Sequence, residues 1–357
     1  MIISRTPFRI SFFGGGTDYP AWYRQRGGAV LAATINKYCY LTCRYLPPFL
    51  EHRFRVVYAK IELCHKVDEI VHPSVRETLR YLKIDRGVEI HHNADLPGRS
   101  GMGSSSAFTV GLLHGLYALK GCATGKKQLA AESIHLEQEV MKETVGSQDQ
   151  VCAAYGGVNH ISFLPNGEFT VQPMTLSQPR LEELNSHLML FYTGIKRTAS
   201  EVASSYVASM EERATLLAKM HDYVGQSCAI LNGGQDLQAF GELLHQAWLA
   251  KRALSDMVSN PQVDALYEEA RSAGAVSGKL LGAGGGGFVL FFVPPARQAA
   301  VRQQLNRLIQ VPFKFEFSGS QIIFYDLEED FSEHDRVRAQ QQIESFRELN
   351  PDSPLAS

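Results

Sequence analysis

The sequence predicts an α+β protein of two domains. Its 357 residues exceed the roughly 100–200 of one ordinary domain. Strand-like and helix-like runs are punctuated by three glycine-rich stretches, the densest of which lacks the order of the common nucleotide-binding α/β folds. A Walker loop or a Rossmann fingerprint puts a strand before its glycines and a helix after them. Here the densest stretch, Gly278-Lys-Leu-Leu-Gly-Ala-Gly-Gly-Gly-Gly287, precedes the strand-like Phe288-Val-Leu-Phe-Phe-Val, and no GxxxxGKS/T occurs.

Composition sets the outer limits. With 45% hydrophobic and 20% charged residues, the chain has material for real cores. A net charge of −2 without a basic cluster argues against a nucleic-acid partner, which needs a positive stripe. No apolar run approaches the ~20 residues of a membrane helix. The start, Met-Ile-Ile-Ser-Arg-Thr-Pro, lacks the charged-then-apolar layout of a signal peptide. The six cysteines show no CxxC spacing, so they read as reduced, mostly buried thiols of a cytoplasmic protein.

In chain order, the first strand is Ser4-Arg-Thr-Pro-Phe-Arg-Ile-Ser-Phe-Phe, which runs into Gly14-Gly-Gly-Thr-Asp-Tyr-Pro. Glycines there let a ligand approach the backbone, and Asp18, just past the bend, could accept hydrogen bonds from sugar hydroxyls. An ordinary Gly-Asp turn reads equally well. Residues 27–35 and 37–45 read as two strands. In the second, Cys39, Leu41 and Cys43 share one face by the two-residue period. That is a core face rather than a metal site, since no other ligand pair is nearby. A short helix is expected at 73–83. His91 and His92 are strand neighbours and should point to opposite faces.

The centre of the chain is Leu96-Pro-Gly-Arg-Ser-Gly-Met-Gly-Ser-Ser-Ser-Ala107, entered by an extended run over 87–93 and left by an apolar helix over 107–119. Loop amides free of bulky side chains can turn inward together, and the helix start adds unpaired N–H groups and a positive dipole end. This is a cradle for an anion, and a nucleotide phosphate is the expected one. A flexible Gly/Ser linker would not sit between a strand and so apolar a helix.

Gly121 is placed to end that helix. A second helix is expected over 126–143, with Ala130, Ile134, Glu137 and Met141 on one face. A carboxylate on such a stripe needs a partner or a metal; a buried salt bridge is the plainer arrangement. Ser147 reads as an N-cap, which puts Asp149 in the first turn of the next helix, where the dipole favours its ionised form. Helix-favouring charge explains such an aspartate; the company of Glu137 and the glycine-serine loop sets it apart. A hairpin over 158–171 turns at Pro165-Asn-Gly-Glu, and 173–179 is the best boundary, dividing the chain into 1–180 and 181–357. A strand beginning at Leu188 leads to Lys196 and Arg197, a basic pair that either holds an anionic group or is merely solvated. Helices should follow to about 231, and a charged helical tail to about 350. His135-Leu-Glu137 starts a zinc-deaminase pattern, but its PCxxC half is absent.

Three of these stretches together resemble the GHMP kinases, the family of galactokinase, homoserine kinase, mevalonate kinase and phosphomevalonate kinase. Thr6-Pro-Phe-Arg-Ile through Thr17-Asp-Tyr looks like their first motif, Pro97-Gly-Arg-Ser-Gly-Met-Gly-Ser-Ser-Ser-Ala like the second, and Lys279-Leu-Leu-Gly-Ala-Gly-Gly-Gly-Gly like the third. The resemblance implies an N-terminal domain of the ribosomal S5 domain 2 type, a C-terminal ferredoxin-like domain and a site between them. It implies ATP on the second loop, at Pro97, Gly98, Ser100, Gly101, Met102, Gly103, Ser104, Ser105 and Ser106. It further implies Mg²⁺ on Ser105 and Glu137, Asp149 facing the acceptor hydroxyl and Arg9 near the transferred phosphoryl. The sugar would meet Asp18, with Gly15, Gly16, Thr17 and Gly285 beside it.

Galactokinase carries a Glu-His pair where this chain has Gly15 and Gly16, so those galactose contacts are missing. The Gly-Gly-Gly-Thr-Asp-Tyr-Pro form, with Gly-Ser-Gln-Asp-Gln and Tyr-Thr-Gly-Ile, looks like the subgroup of D-glycero-D-manno-heptose 7-phosphate kinases. Those phosphorylate the anomeric hydroxyl on the route to GDP-heptose. The terminal phosphate of such a substrate would be met by Lys196 and Arg197, with Arg99 the lesser candidate. Another sugar 1-kinase, for L-fucose, galactose or an N-acetylhexosamine, would keep the same catalytic set, as would a non-catalytic sugar and ATP sensor.

Overall fold

The computed structural model describes residues 1–195, 199–327 and 331–340. A nine-stranded sheet forms the first half. Its main path runs Gln321–Tyr325, Ile2–Phe13, Gly28–Tyr45, Val88–Ala94, Phe54–Val57 and Ile61–Cys64. The two strands expected at 27–35 and 37–45 are one, because Ile2–Phe13 pairs across both, from Cys43 to Leu31, while on the other edge the halves find different partners. Gly28–Ala33 pairs with Val158–Phe163, and Cys39–Tyr45 with Val88–Ala94. Asn36 between them makes no turn; its N–H donates to the Lys314 carbonyl at 2.9 Å.

The loop helix, Ser104–Leu119, lies on this sheet. It starts three residues earlier than its apolar run, from Gly103 in the left-handed region, φ 72°. Gly121, φ 69°, closes it by donating to the Ala118 carbonyl at 2.9 Å. Gly111 lets the helix sit directly on the first strand: a Cβ there would lie 2.8 Å from Thr6 Oγ1. Leu112, Leu113 and Leu116 are fully buried beneath it. Cys39, Leu41 and Cys43 are buried in the same core, and burial pushes the Cys43 thiol up to about 12. His91 bonds Glu89 while His92 packs against Phe108, on the opposite face.

The next helix departs from its expected course. It runs Lys126–His135 and then opens into a π-helical turn, Leu136–Val140, short of residue 143. Such single π turns insert one extra residue and re-aim a side chain; Leu136 and Glu137 both become buried. Ser147 occupies the N-cap position of Gln148–Tyr155 without capping it. Its hydroxyl is instead engaged by Gln138 Nε2 at 3.0 Å.

The second sheet has four antiparallel strands in the order Ile309–Val311, Leu188–Tyr192, Phe288–Phe292, Ser277–Leu280. Strand, helices, two strands, helix, strand is the ferredoxin-like plan. The chain then returns. Phe315–Glu316 pairs with the long strand and Gln321–Tyr325 with the first. These last strands thus lie past residue 180 yet pair within the first sheet.

Candidate active site

The three glycine-rich stretches meet at a cleft of about 170 Å³ between the two halves. Its floor is made by the second and third. Gly101 and Gly282 face each other so closely that a Cβ on Gly282 would lie 2.5 Å from the Gly101 Cα. The Phe288 N–H donates to the Ser100 carbonyl at 3.1 Å. Beside that bond a Cβ on Gly287 would lie 2.2 Å from the Ser100 carbonyl oxygen, so neither Gly282 nor Gly287 admits a side chain, which is what the dense glycines provide.

Asp149 enters from the first turn of Gln148–Tyr155. Arg9, 4% exposed on the first strand, grips it with a planar fork: Nε donates to Oδ1 and Nη2 to Oδ2, both at 2.7 Å. Its Nη1 donates to the Gly101 carbonyl at 2.5 Å. One side chain thus ties the aspartate to the loop. Asp18 is buried opposite. Its Oδ1 accepts from the Gly16 N–H at 2.9 Å and its Oδ2 from Gln148 Nε2 at 3.0 Å. Burial raises its pKa, and the nearby Asp149 adds to this.

Glu137 is fully buried behind the cleft wall. Its Oε2 accepts from Ser106 at 2.8 Å and from Gln150 at 2.5 Å, while Oε1 has no partner. Burial pushes its pKa up to about 7. The serine that reaches Glu137 is therefore Ser106, not Ser105. Ser105 is exposed on the cleft side. An orphaned carboxylate oxygen beside the Ser106 hydroxyl is an oxygen donor set, which fits a hard cation such as Mg²⁺. Among the described residues no group of three His, Cys, Asp or Glu is placed to hold a metal, so such an ion would keep several waters.

The remaining expected residues divide. Gly15, Gly16, Gly103 and Ser104 line the cleft. Thr17 does not: it is buried in its own turn, donating to the Gly14 and Ala29 carbonyls at 2.9 Å each. Met102 is in the core, Pro97 and Gly98 lie on the outer side of the loop, and Ser100 Oγ donates to the Pro97 carbonyl at 2.7 Å. Gly285 turns away to Val258 and Asn260, and Gly282 and Ala283 take its place on the wall. Lys196 and Arg197 lie outside the described residues.

Among the lining residues that sequence reading does not find are Tyr19, Tyr206, Lys251 and Lys279. Tyr206 donates across the domains to the Tyr19 hydroxyl at 3.3 Å. Lys279 belongs to the third glycine-rich stretch, yet a lysine in a strand carries no sign of which way it faces. Lys251 ends an amphipathic helix, Gln238–Arg252, where a solvated lysine is the normal expectation.

Fold and cleft define an ATP-dependent phosphotransferase of two domains. The chain belongs to the GHMP kinases: it matches the GHMP kinases N terminal domain over residues 69–157 and the GHMP kinases C terminal domain over 228–310. It is 27% identical to the D-glycero-alpha-D-manno-heptose 7-phosphate kinase of Campylobacter jejuni, over 86% of this chain and 93% of that one. It is 26% identical to the bifunctional fucokinase/GDP-fucose pyrophosphorylase of Arabidopsis thaliana, over 84% of this chain but 30% of that one. The fold is shared with a D-glycero-D-manno-heptose 1-phosphate kinase from Bacteroides thetaiotaomicron, with a TM-score of 0.75 and 23% identity over 92% of this chain and 100% of that one. No helix among the described residues is long and apolar enough to cross a membrane.

Proposed function

We propose that the protein transfers the γ-phosphoryl of ATP to the anomeric hydroxyl of D-glycero-D-manno-heptose 7-phosphate. The observation that carries the kinase part is the Arg9–Asp149 fork beside the glycine-serine loop. Phosphoryl transfer asks mainly for alignment and charge stabilisation. In this reading Gly101, Gly103 and Ser104 to Ser106 cradle the phosphates with the helix start. Asp149 orients the acceptor hydroxyl and accepts its proton, and Arg9 fixes Asp149 while presenting its own charge to the phosphoryl. Asp18, held by Gly16 and Gln148, takes the sugar hydroxyls. Glu137 with Ser105 or Ser106 would hold Mg²⁺, which when bound neutralises phosphate oxygens.

The heptose part is supported by the likeness to the Campylobacter jejuni enzyme and by Gly15 and Gly16 on the cleft wall, where galactokinase carries a Glu-His pair. The test is ADP release with Mg-ATP over heptose 7-phosphate, mannose, galactose, fucose and their terminal phosphates. The reading requires kcat/KM to be highest for heptose 7-phosphate. Preference for fucose would keep the kinase and replace the acceptor; sugar binding without any ADP release would make the protein a sensor.

A further inference from the structure

The cleft holds more buried positive charge than its carboxylates match. Arg9 is paired with Asp149. Lys251 and Lys279, 6% and 4% exposed, have no such partner among the described residues. Lys251 Nζ donates to the carbonyls of Leu280, at 3.3 Å, and Gly282. Lys279 Nζ donates to the Phe12 carbonyl at 2.7 Å. Each ammonium has three donors, and each side chain reaches the cleft wall. Burying two ammonium groups without a counter-ion is costly. Burial pushes Lys251 down to about 8, Arg9 adding to the effect while Asp18 and Asp149 oppose it. Burial, then Lys251 and Arg9, push Lys279 well below the usual lysine range. A core that needed only to be stable would have an apolar residue at either place.

Both lysines belong to the second half, on Gln238–Arg252 and Ser277–Leu280, and Lys251 binds the carbonyl of the very glycine that faces Gly101. We infer that Lys251 and Lys279 form a phosphoryl-binding site on the second-domain wall of the cleft, their ammonium groups neutralised by a phosphate that enters between the domains. Two phosphates can come there: the acceptor's own, and the one in transit from ATP. The first of these rests on the proposed phosphorylated acceptor; the site itself does not.

Inorganic phosphate is the first probe, since it needs no turnover. Wild-type protein should show a phosphate-dependent rise in melting temperature, lost in Lys251→Met and in Lys279→Met, with circular dichroism confirming the fold. If Lys279→Met does not fold, Lys251→Met and Lys251→Gln carry the test. Kinetics then separate the sources. A KM for the sugar phosphate raised roughly ten- to a hundredfold, as for one lost charged hydrogen bond, with KM for ATP unchanged, assigns the acceptor's phosphate. A fall in kcat of that size with both KM values unchanged assigns the transferring phosphoryl. Folded variants that respond to phosphate as the wild type does overturn the site. Absence of turnover on any sugar would sink the heptose reading while leaving the phosphate response to decide this one.

Discussion

Arg9 holds both carboxylate oxygens of Asp149 at 2.7 Å while its third nitrogen rests on the Gly101 carbonyl. Catalytic aspartate and phosphate loop are thereby positioned by one side chain. Asp149→Asn should preserve the fold and lower kcat by on the order of 10²–10⁴. Arg9→Lys keeps a charge but cannot make the planar fork, so kcat should fall roughly ten- to a hundredfold. Steady-state kinetics with circular dichroism check both; an active Asp149→Asn enzyme would remove Asp149 from the mechanism.

Gly146 backs onto Asp18, and a Cβ there would lie 1.9 Å from Asp18 Oδ2. Gly146→Ala must therefore displace that carboxylate. The expected result is a loss on the order of 10² in kcat/KM for the acceptor, with the dissociation constant for ATP unchanged by calorimetry.

Ser105 and Ser106 should part in a stability measurement. Ser106→Ala removes a hydrogen bond from a buried carboxylate and should cost about 1.5–3 kcal/mol in urea denaturation. Ser105→Ala, on an exposed side chain, should stay within about 0.5 kcal/mol of wild type. Equal effects would contradict the assignment of Ser106 to Glu137.

Lys251 gives a pH signature. Its pKa falls from 10.5 unfolded to about 8 folded, so between those values the unfolded chain binds more protons and stability rises with pH. Below about pH 8 the buried charge is a standing cost. Lys251→Met should melt higher relative to wild type at pH 7 than at pH 10.5, the gap narrowing by on the order of 3 kcal/mol. The Gly282 and Leu280 carbonyls left unpaired offset the absolute gain at every pH, so the slope is the observable. A pH-independent difference would show that Lys251 is not depressed.

Motif residues were legible where the backbone itself carries the message. The glycines of the second and third stretches announce close approach, and they do approach, Gly101 against Gly282. The apolar run 107–119 announces a buried helix, and Gly121 its end. Side-chain direction was less legible. Glu137 faces inward as its stripe implied, but a π turn that no residue type signals decides which serine meets it. Thr17 sits in a motif and serves its own turn. Lys251 looks like any helix-end lysine until the second domain folds over it. That the final strands join the first sheet was not legible, because antiparallel pairing across the whole chain leaves no local mark.

The most direct measurement is the phosphorus NMR spectrum of the product formed from Mg-ATP and D-glycero-D-manno-heptose 7-phosphate, with Asp149→Asn as the control. A new anomeric phosphate resonance beside the retained 7-phosphate, absent with the variant, is the predicted result. Phosphate appearing at another hydroxyl, or an equal signal from Asp149→Asn, would contradict the account.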